Sequence, residues 1–312
     1  MKAIVLAQPG DIENLQILEI DKPAIREGEV LVKVKAISIN PADVKTRSGK
    51  GRYEMLKTES PLILGWDISG VIVEANTADF KPGDEVFGMV NFPGHGKAYA
   101  EYVAVPANQL ALKPANISFE QAAAATLAAL TAYQALVKNA NVVKGQRVLI
   151  HAAAGGVGHF GVQMAKHLGA HVTGTSSAGN RSFVLSLGAD DHIDYKNHHW
   201  QQGPNDFDIT LDAVGGDNLT LSLEVTKPGG TLISILGFNE ALKEKAKSKG
   251  VNGYSILVSS NGDDMKMIAE YLEKGFIKSH VSAAFPFENI GAAHRRVESG
   301  HTIGKVVVTV SL

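Results

Sequence analysis

The sequence contains no cysteine, which excludes disulfide bonds and every thiolate metal site. The missing thiols also fit a reducing compartment, so we predict a cytoplasmic location. Excess charge of one sign is lacking too: 30 lysines and arginines stand against 32 aspartates and glutamates, and the net charge of −2 argues against a nucleic-acid partner. The longest apolar region, residues 122–137, is too short and too polar to span a membrane.

The strongest local signal lies in the stretch 147–166. A short apolar run is followed by small residues and then by an apolar helical pattern, and Gly156, Gly158 and Gly161 fit the spacing G-x-G-x-x-G. In such a turn, one glycine allows the tight bend, one lets the backbone approach a pyrophosphate and one lets the helix pack close to the strand. The N–H groups at the helix start then face the phosphates. We predict a dinucleotide site here rather than a merely structural turn.

The 312 residues are enough for two domains, and the pattern of elements changes near Ser118. Before it, short β-rich runs alternate with turns, which predicts a barrel-like β domain. The spacing S-x-x-Q from Ser118 to Gln121 is a capping box that begins a helix, which continues into the alanine-rich region. The β-rich runs are residues 2–6, 15–20, 29–39, 68–74, 85–90 and 98–105.

After residue 121 strands and helices alternate, which predicts an α/β fold with a doubly wound parallel sheet. One of its strands is expected at 231–236, after a turn at Pro228-Gly229-Gly230, and the tail returns to β at 305–310. The predicted domains are a β-rich domain at 1–121, a nucleotide-binding domain at 122–276 and a C-terminal part of the β-rich domain at 277–312.

The second strand of the nucleotide domain predicts the type of cofactor. NAD-binding sites place an acidic residue about 20 positions after the glycines, whereas this strand ends in Ser176-Ser177 with Arg181 following. Hydroxyl groups and a guanidinium suit a 2′-phosphate, so we predict NADPH. The alternative is that the serines only cap a helix and that Arg181 is a solvated surface residue. Tyr195 either lies beside the same phosphate or packs at the sheet edge.

Short motifs occur along the whole chain. In order they are NPAD at 40–43, GWDISG at 65–70, KPGDEV at 81–86, AYAEY at 98–102, LTAY at 130–133, the glycine turn, LGAD at 187–190, DAVGG at 212–216 and GKVV at 304–307. In this order they resemble the zinc-independent quinone oxidoreductase branch of the medium-chain dehydrogenase/reductase superfamily. The resemblance implies a GroES-like catalytic domain, a Rossmann NADP-binding domain, a cleft between them for the nicotinamide, and a homodimer.

The resemblance also implies roles for individual residues. The pyrophosphate would lie on Gly155, Gly156, Val157 and Gly158. The residues near the nicotinamide would be Asn40, Thr131, Val214, Leu236, Gly237, Phe238 and Lys305. The other reading of Asn40 is that it starts a turn before Pro41. Asn40 and Tyr53 are the candidate catalytic residues. Tyr53 either donates a hydrogen bond to a substrate carbonyl or merely lines the cleft.

The chain departs from the alcohol dehydrogenases of the superfamily at the metal site. Those proteins have a Cys near the position of Asn40 and a His-Glu pair where this chain has Trp66-Asp67. The histidines His192, His198 and His199 are more typical of a solvated turn than of a metal site. We therefore predict no metal.

Without a Lewis acid, the remaining chemistry is hydride transfer from NADPH to an acceptor that needs little acid assistance. A quinone is the first candidate. The alternatives are an enone or 2-alkenal, which takes hydride at its β-carbon, and a cofactor-binding structural protein without turnover.

Overall fold

The computed structural model describes residues 1–196 and 205–310. His198 and His199, considered above as metal ligands, lie outside these residues. The chain forms two compact units. The first comprises residues 1–130, 258–275 and 279–312, and the second comprises residues 131–257 and 276–278. The predicted domain limits after residues 121 and 276 stay a prediction. Limited proteolysis would test them.

The strands and helices are numbered along the chain. The strands are β1 (Lys2–Leu6), β2 (Leu15–Glu19), β3 (Glu29–Ile39), β4 (Asp67–Ala75), β5 (Glu85–Met89), β6 (Tyr102–Pro106), β7 (Leu110–Leu112), β8 (Arg147–Ile150), β9 (His171–Ser176), β10 (Asp191–Asp194), β11 (Phe207–Asp212), β12 (Thr226–Ser234), β13 (Asn252–Ser255), β14 (Val281–Pro286) and β15 (Lys305–Thr309). The helices are α1 (Pro41–Arg47), α2 (Tyr53–Leu56), α3 (Phe119–Ala124), α4 (Leu127–Tyr133), α5 (Gly156–His167), α6 (Arg181–Ser186), α7 (Asn218–Val225), α8 (Glu240–Ser248), α9 (Gly262–Glu273) and α10 (Ile290–Glu298).

The first unit is built on a seven-stranded sheet in the order β14-β15-β3-β4-β5-β7, with β6 also paired to β3. Its pairs are antiparallel except β14 with β15. The long strand β3 connects these pairings: at its carboxyl end Ser38 lies opposite both Asp67 of β4 and Val307 of β15. Asn40 follows directly, so this register brings Asn40, Asp67 and the start of β15 together.

The second unit is a parallel six-stranded sheet in the order β10-β9-β8-β11-β12-β13. From β8 the chain moves outward to β9 and β10, then returns to β11 on the other side of β8 and continues outward. The strand order therefore reverses between β8 and β11, where doubly wound sheets bind ligands at their carboxyl ends. The predicted fold class, a GroES-like β unit with a Rossmann-like parallel-sheet unit, is confirmed.

Several local predictions need correction. The capping box of Ser118 and Gln121 is present, but the helix that it starts ends at Ala124. The alanine-rich region continues as a separate helix, α4, and a π-helical segment, Gln134–Asn139. β12 begins at Thr226 rather than after the Pro-Gly-Gly turn, and its pairing with β11 shifts register there. The shifted stretch contains Pro228, which has no backbone N–H to donate to the neighbouring strand.

No helix within residues 1–196 and 205–310 is long and apolar enough to cross a membrane.

Candidate functional site

The glycine turn lies between β8 and α5, at the carboxyl edge of the parallel sheet. α5 begins at Gly156, with Gly155 as an extended N-cap that provides no side-chain hydrogen bond. The N–H groups of Gly156, Val157 and Gly158 occupy the first helical positions, where the helix itself offers no acceptor. Donors of this kind, together with the positive end of the helix dipole, fit an anionic pyrophosphate. The four predicted residues, Gly155–Gly158, are therefore adjacent at one helix start.

The three glycines of the pattern differ in their surroundings. A Cβ on Gly158 would lie 2.1 Å from the Ala152 carbonyl oxygen, so only glycine fits. A Cβ on Gly161 would lie 3.4 Å from Leu211 Cδ2, which is ordinary contact. The bend itself is made by Ala152, at φ +49°, rather than by a glycine of the pattern. Sequence spacing alone does not distinguish these roles, because it carries no information about close contacts.

A buried histidine behind the turn is a residue that the sequence analysis missed. His151 follows β8, with Nδ1 3.0 Å from Thr175 Oγ1 of β9 and Nε2 3.1 Å from Ser222 Oγ of α7. Burial lowers the pKa of His151 to about 4, against the opposing effect of Asp212. A neutral imidazole therefore joins β8, β9 and α7 directly below the turn. Its position immediately after a buried strand was the available signal.

The residues predicted to select NADPH lie at the carboxyl end of β9. Ser176 ends the strand, Ser177 precedes a 3-10 turn and Arg181 begins α6. The Tyr195 amide N–H donates to the Ser176 carbonyl oxygen at 3.2 Å, so this half-exposed tyrosine lies beside the serine. Arg181 is exposed, and no side chain within residues 1–196 and 205–310 pairs with its guanidinium. The predicted residues are thus close together, with a cationic group turned to solvent.

The residues predicted near the nicotinamide follow β11 and β12. Asp212 Oδ1 accepts hydrogen bonds from the N–H groups of Val214 (2.9 Å) and Gly215 (2.7 Å), which fixes the turn after β11. Val214 and Leu236 are large apolar residues that are about half exposed, at 51% and 49%. Apolar side chains held in solvent at a strand end are typical of a ligand surface.

Unlike Val214 and Leu236, Phe238 and Thr131 pack into the interior. The Phe238 ring packs against Gly253 and the core cluster that contains Leu219 and Leu223, so it contributes to the hydrophobic core of the second unit. Thr131 is buried in α4. Gly237 has φ +115°, a conformation that suits glycine.

The first unit holds Asn40, Asp67 and Lys305 in one buried network. Asn40 Nδ2 donates to Asp67 Oδ2 at 2.8 Å, and Lys305 Nζ donates to Asn40 Oδ1 at 2.5 Å. Lys305 Nζ also lies 3.8 Å from Asp67 Oδ2. The other Asp67 oxygen accepts from the Leu127 N–H at 3.0 Å. Both ends of the Asn40 amide are therefore bonded to protein groups.

A second carboxyl group, Asp43, completes this network. Its Oδ2 accepts from the Asn40 N–H at 2.6 Å at the start of α1. Burial, with a smaller effect from the Asp67 charge, raises the pKa of Asp43 to about 8. Burial also raises the pKa of Asp67, against the opposing charge of Lys305, and lowers the pKa of Lys305. We refer to Asn40, Asp43, Asp67 and Lys305 as the buried network.

Tyr53 begins the short helix α2 and is half-buried. No side chain in the described part of the chain bonds to its hydroxyl. The group is therefore available to a ligand, in contrast to the amide of Asn40.

The residues near Asn40 do not fit a catalytic zinc. Trp66 is buried and donates its indole N–H to the Gly94 carbonyl oxygen at 2.7 Å, while Asp67 is already bonded to Asn40 and paired with an ammonium group. Zinc sites use three or four cysteine, histidine or carboxylate ligands. A single carboxylate that is already paired with a lysine does not provide such a set of ligands. Within residues 1–196 and 205–310, no three His, Cys, Asp or Glu side chains are grouped to hold a metal ion.

Two family models match the chain. Residues 26–115 match the alcohol dehydrogenase GroES-like domain, and residues 187–308 match a family described as zinc-binding dehydrogenase. The words "zinc-binding" describe the family that the model represents. In this chain, the residues near Asn40 do not form a zinc site, as described above.

The relatives cover nearly the whole chain. An Arabidopsis thaliana protein named "NADPH-dependent alkenal/one oxidoreductase, chloroplastic" is 37% identical over 99% of this chain and 79% of its own length. The 2-methylene-furan-3-one reductase of Solanum lycopersicum is 35% identical with the same coverage. The structure of the quinone oxidoreductase from Coxiella burnetii matches with a TM-score of 0.94 and 35% identity over 100% of this chain and 99% of that one. The chain therefore belongs to the quinone and alkenal oxidoreductases of the medium-chain dehydrogenase/reductase superfamily, and it is an NAD(P)H-dependent oxidoreductase.

Proposed function

We propose that the protein reduces an activated, electron-poor acceptor, a quinone or an α,β-unsaturated carbonyl compound, with NADPH and without a metal ion. The observation that carries the proposal is the pair of donor groups in the second unit. The start of α5 offers uncapped N–H groups, and the carboxyl end of β9 offers two serines and an exposed arginine instead of a carboxylate.

On the cofactor side, Gly155–Gly158 hold the pyrophosphate, and Ser176, Ser177 and Arg181 hold the 2′-phosphate, with Tyr195 beside it. When bound, the reduced nicotinamide supplies the hydride. Val214, Leu236 and Gly237 form an apolar surface at the ends of β11 and β12, which favours exclusion of water from the ring. Thr131, Phe238, Asn40 and Lys305 complete the set of residues that we propose for the nicotinamide.

On the acceptor side, the chain needs no strong acid. A quinone accepts hydride readily and takes its proton from solvent. An enone takes hydride at the β-carbon, and negative charge then develops on its carbonyl oxygen. The Tyr53 hydroxyl is the group that donates a hydrogen bond to this oxygen, since Asn40, the other predicted catalytic residue, has its amide engaged with Asp67 and Lys305.

The enone reaction is a second candidate with its own support. The two plant relatives are named for an alkenal/one and a furanone substrate, and the Tyr53 hydroxyl, to which no side chain among the described residues bonds, suits an enolate. The Coxiella burnetii structure carries the quinone name and supports the first candidate.

Steady-state kinetics test the proposal. We expect turnover of small quinones and enones with NADPH, weaker turnover with NADH, no oxidation of simple alcohols and full activity after exhaustive chelation. Robust NADP-linked oxidation of ethanol by the chelated protein would contradict the mechanism. Tight NADPH binding without turnover of any electrophile would instead favour a structural role.

The Tyr53→Phe variant separates the two substrate classes. Loss of one donor to the developing enolate slows enone reduction by roughly ten- to a hundredfold and leaves quinone reduction nearly unchanged. The matched control is Tyr102→Phe, in which the tyrosine removed lies on β6 of the same unit. Equal slowing of both substrate classes by Tyr53→Phe would show that Tyr53 lines the site rather than polarising a carbonyl.

We propose that the protein is cytoplasmic and forms a homodimer. β13 is an edge strand of the parallel sheet, and one of its sides has no strand partner within the described residues, which supports pairing with a second copy. Light scattering at micromolar concentration tests the dimer, and a monomeric mass would refute it. Cell fractionation tests the location, for which the chloroplastic name of the Arabidopsis relative is the competing indication.

A further inference from the structure

His192 lies within the residues that face the proposed 2′-phosphate. It belongs to β10, opposite Gly174 of β9. Its Nε2 is 2.7 Å from Ser176 Oγ, and the same hydroxyl lies 3.1 Å from the Ser177 carbonyl oxygen. The ring is half-buried. A titratable side chain therefore holds one of the two serines in place.

The charged groups that face His192 are Arg181 at the start of α6 and Asp194 on its own strand. Partial burial, followed by the Arg181 charge, lowers the pKa of His192 below its usual value, and Asp194 opposes this shift. Asp194 is itself engaged, since its Oδ1 accepts from the Lys196 N–H at 3.1 Å. In the free protein the ring is therefore neutral at pH 7 and above.

We propose that His192 is a specificity-determining residue that positions Ser176 for the 2′-phosphate and couples NADPH binding to proton uptake on its ring. The inference rests on the NADPH preference proposed above. It assigns to this chain a pH dependence that Ser176, Ser177 and Arg181 alone do not produce.

The coupling follows from the hydrogen-bond chemistry. A protonated imidazole has no acceptor nitrogen, so Nε2–H must donate to Ser176 Oγ, and the serine hydrogen is then directed to a neighbouring acceptor. A phosphate oxygen is that acceptor when the cofactor is bound. A phosphate monoester has its second pKa near about 6, so above that pH its dianion opposes the Arg181 charge and favours the imidazolium. The proton comes from solvent and enters on the ring nitrogen.

Binding titrations of the full-length protein test this at pH 6, 7 and 8. We measure the ratio of NADPH affinity to NADH affinity for the wild type and for His192→Gln. Between pH 8 and pH 6 this ratio should rise about two- to fivefold more in the wild type than in the variant, which is the range for a partly exposed charge pair. His192→Gln keeps a donor to Ser176 but does not titrate, and the phosphate titrates equally in both proteins. Calorimetry in two buffers of different ionisation enthalpy should show proton uptake when the wild type binds NADPH, and no proton uptake when His192→Gln binds NADPH or when the wild type binds NADH.

The control is His171→Gln, at the opposite end of β9, where the histidine lies against Asp190 and Asp191. It should behave as the wild type. NADPH preference at pH 8 with the same pH dependence in wild type and His192→Gln overturns the His192 assignment and leaves the cofactor proposal standing. Equal affinity of the wild type for NADPH and NADH at every pH overturns both.

Discussion

The buried network of the first unit and the strand-end residues Ser177 and Arg181 of the second unit are all polar, yet they differ in burial and in hydrogen bonding. Asn40, Asp67 and Lys305 are almost inaccessible to solvent and bond to one another. Ser177 and Arg181 are partly or fully exposed, and no side chain in the described part of the chain bonds to the Ser177 hydroxyl or to the Arg181 guanidinium. Two sets of residues, assigned to the same cofactor from sequence, thus have different relations to solvent.

The difference indicates how each set contributes. A buried charge is tolerated only with partners, so the residues of the network stabilise one another and hold the start of α1 against β4 and β15. An exposed cation without a partner costs little in the free protein and is available to a ligand. Substitutions in the network should therefore change stability first, and substitutions at the strand end should change cofactor selection first.

The largest effect should come from Lys305→Met. It leaves the Asp67 carboxylate buried without its cation, and removal of one partner of a buried pair costs about 3–5 kcal/mol. The free energy of unfolding from urea titration at pH 7.5 measures it. The loss should shrink at pH 5, because a buried carboxyl without a cation takes up a proton.

The double variant Asp67→Asn with Lys305→Met is the control. It removes both charges, so it should be more stable than Lys305→Met alone. A cost below about 1 kcal/mol for Lys305→Met would mean that the network behaves as a surface pair, and the comparison of the two units would then fail.

The glycine turn, the parallel sheet and the lack of an acidic residue after β9 could be recognised from the sequence because each depends on residues that are close together in the chain. Strand and helix periodicity, turn residues and one strand end lie within short segments. The sequence did not predict the engagement of Asn40 by Lys305, since these residues are joined by a register of β15 on β3 that no local pattern specifies. For the same reason the contact of His192 with Ser176 was not predicted: the register of β10 places His192 opposite Gly174, from where its ring reaches the Ser176 hydroxyl.

The glycine pattern gives a sharper comparison within the second unit. Gly158→Ala forces the new methyl group against the Ala152 carbonyl oxygen, so we expect a loss of about 1–3 kcal/mol in unfolding free energy together with weaker cofactor binding. Gly161→Ala is the matched control, because its Cβ has room and alanine favours a helix. Urea unfolding and NADPH titration of both variants measure this. Equal effects at the two positions would show that the close contact does not restrict residue choice.

Cofactor selection should respond to Arg181→Ala without a change in stability. The guanidinium is exposed and unpaired within the described residues, so its removal costs the fold little. Loss of a charged hydrogen bond should narrow the preference for NADPH over NADH by about 1–3 kcal/mol. Dissociation constants for both cofactors measure the change, with Arg296→Ala on α10 as the control. An unchanged preference would remove Arg181 from the phosphate site.

The most gradual expected effect is a pH dependence of stability that arises from Asp43. Its pKa is about 8 in the folded protein, with burial as the main cause, and about 3.9 in an unfolded chain. Between these values the folded state holds one proton more than the unfolded state. The contribution of Asp43 to stability is therefore complete below the unfolded pKa and is lost as the pH rises through the folded pKa, by at most about 1.4 kcal/mol per pH unit.

Asp43→Asn should remove this slope, because the amide does not titrate and its oxygen still accepts from the Asn40 N–H. Urea unfolding at pH 5, 6, 7, 8 and 9 should show wild-type stability falling relative to the variant over this range. Asp190→Asn is the control of opposite sign. Although partial burial raises the pKa of Asp190, the hydrogen bond from Lys166 and its charge prevail and lower it, so its contribution is lost only in acid. Parallel pH profiles for the wild type and Asp43→Asn would show that Asp43 is ionised in the fold and that the buried network holds two carboxylates against one ammonium.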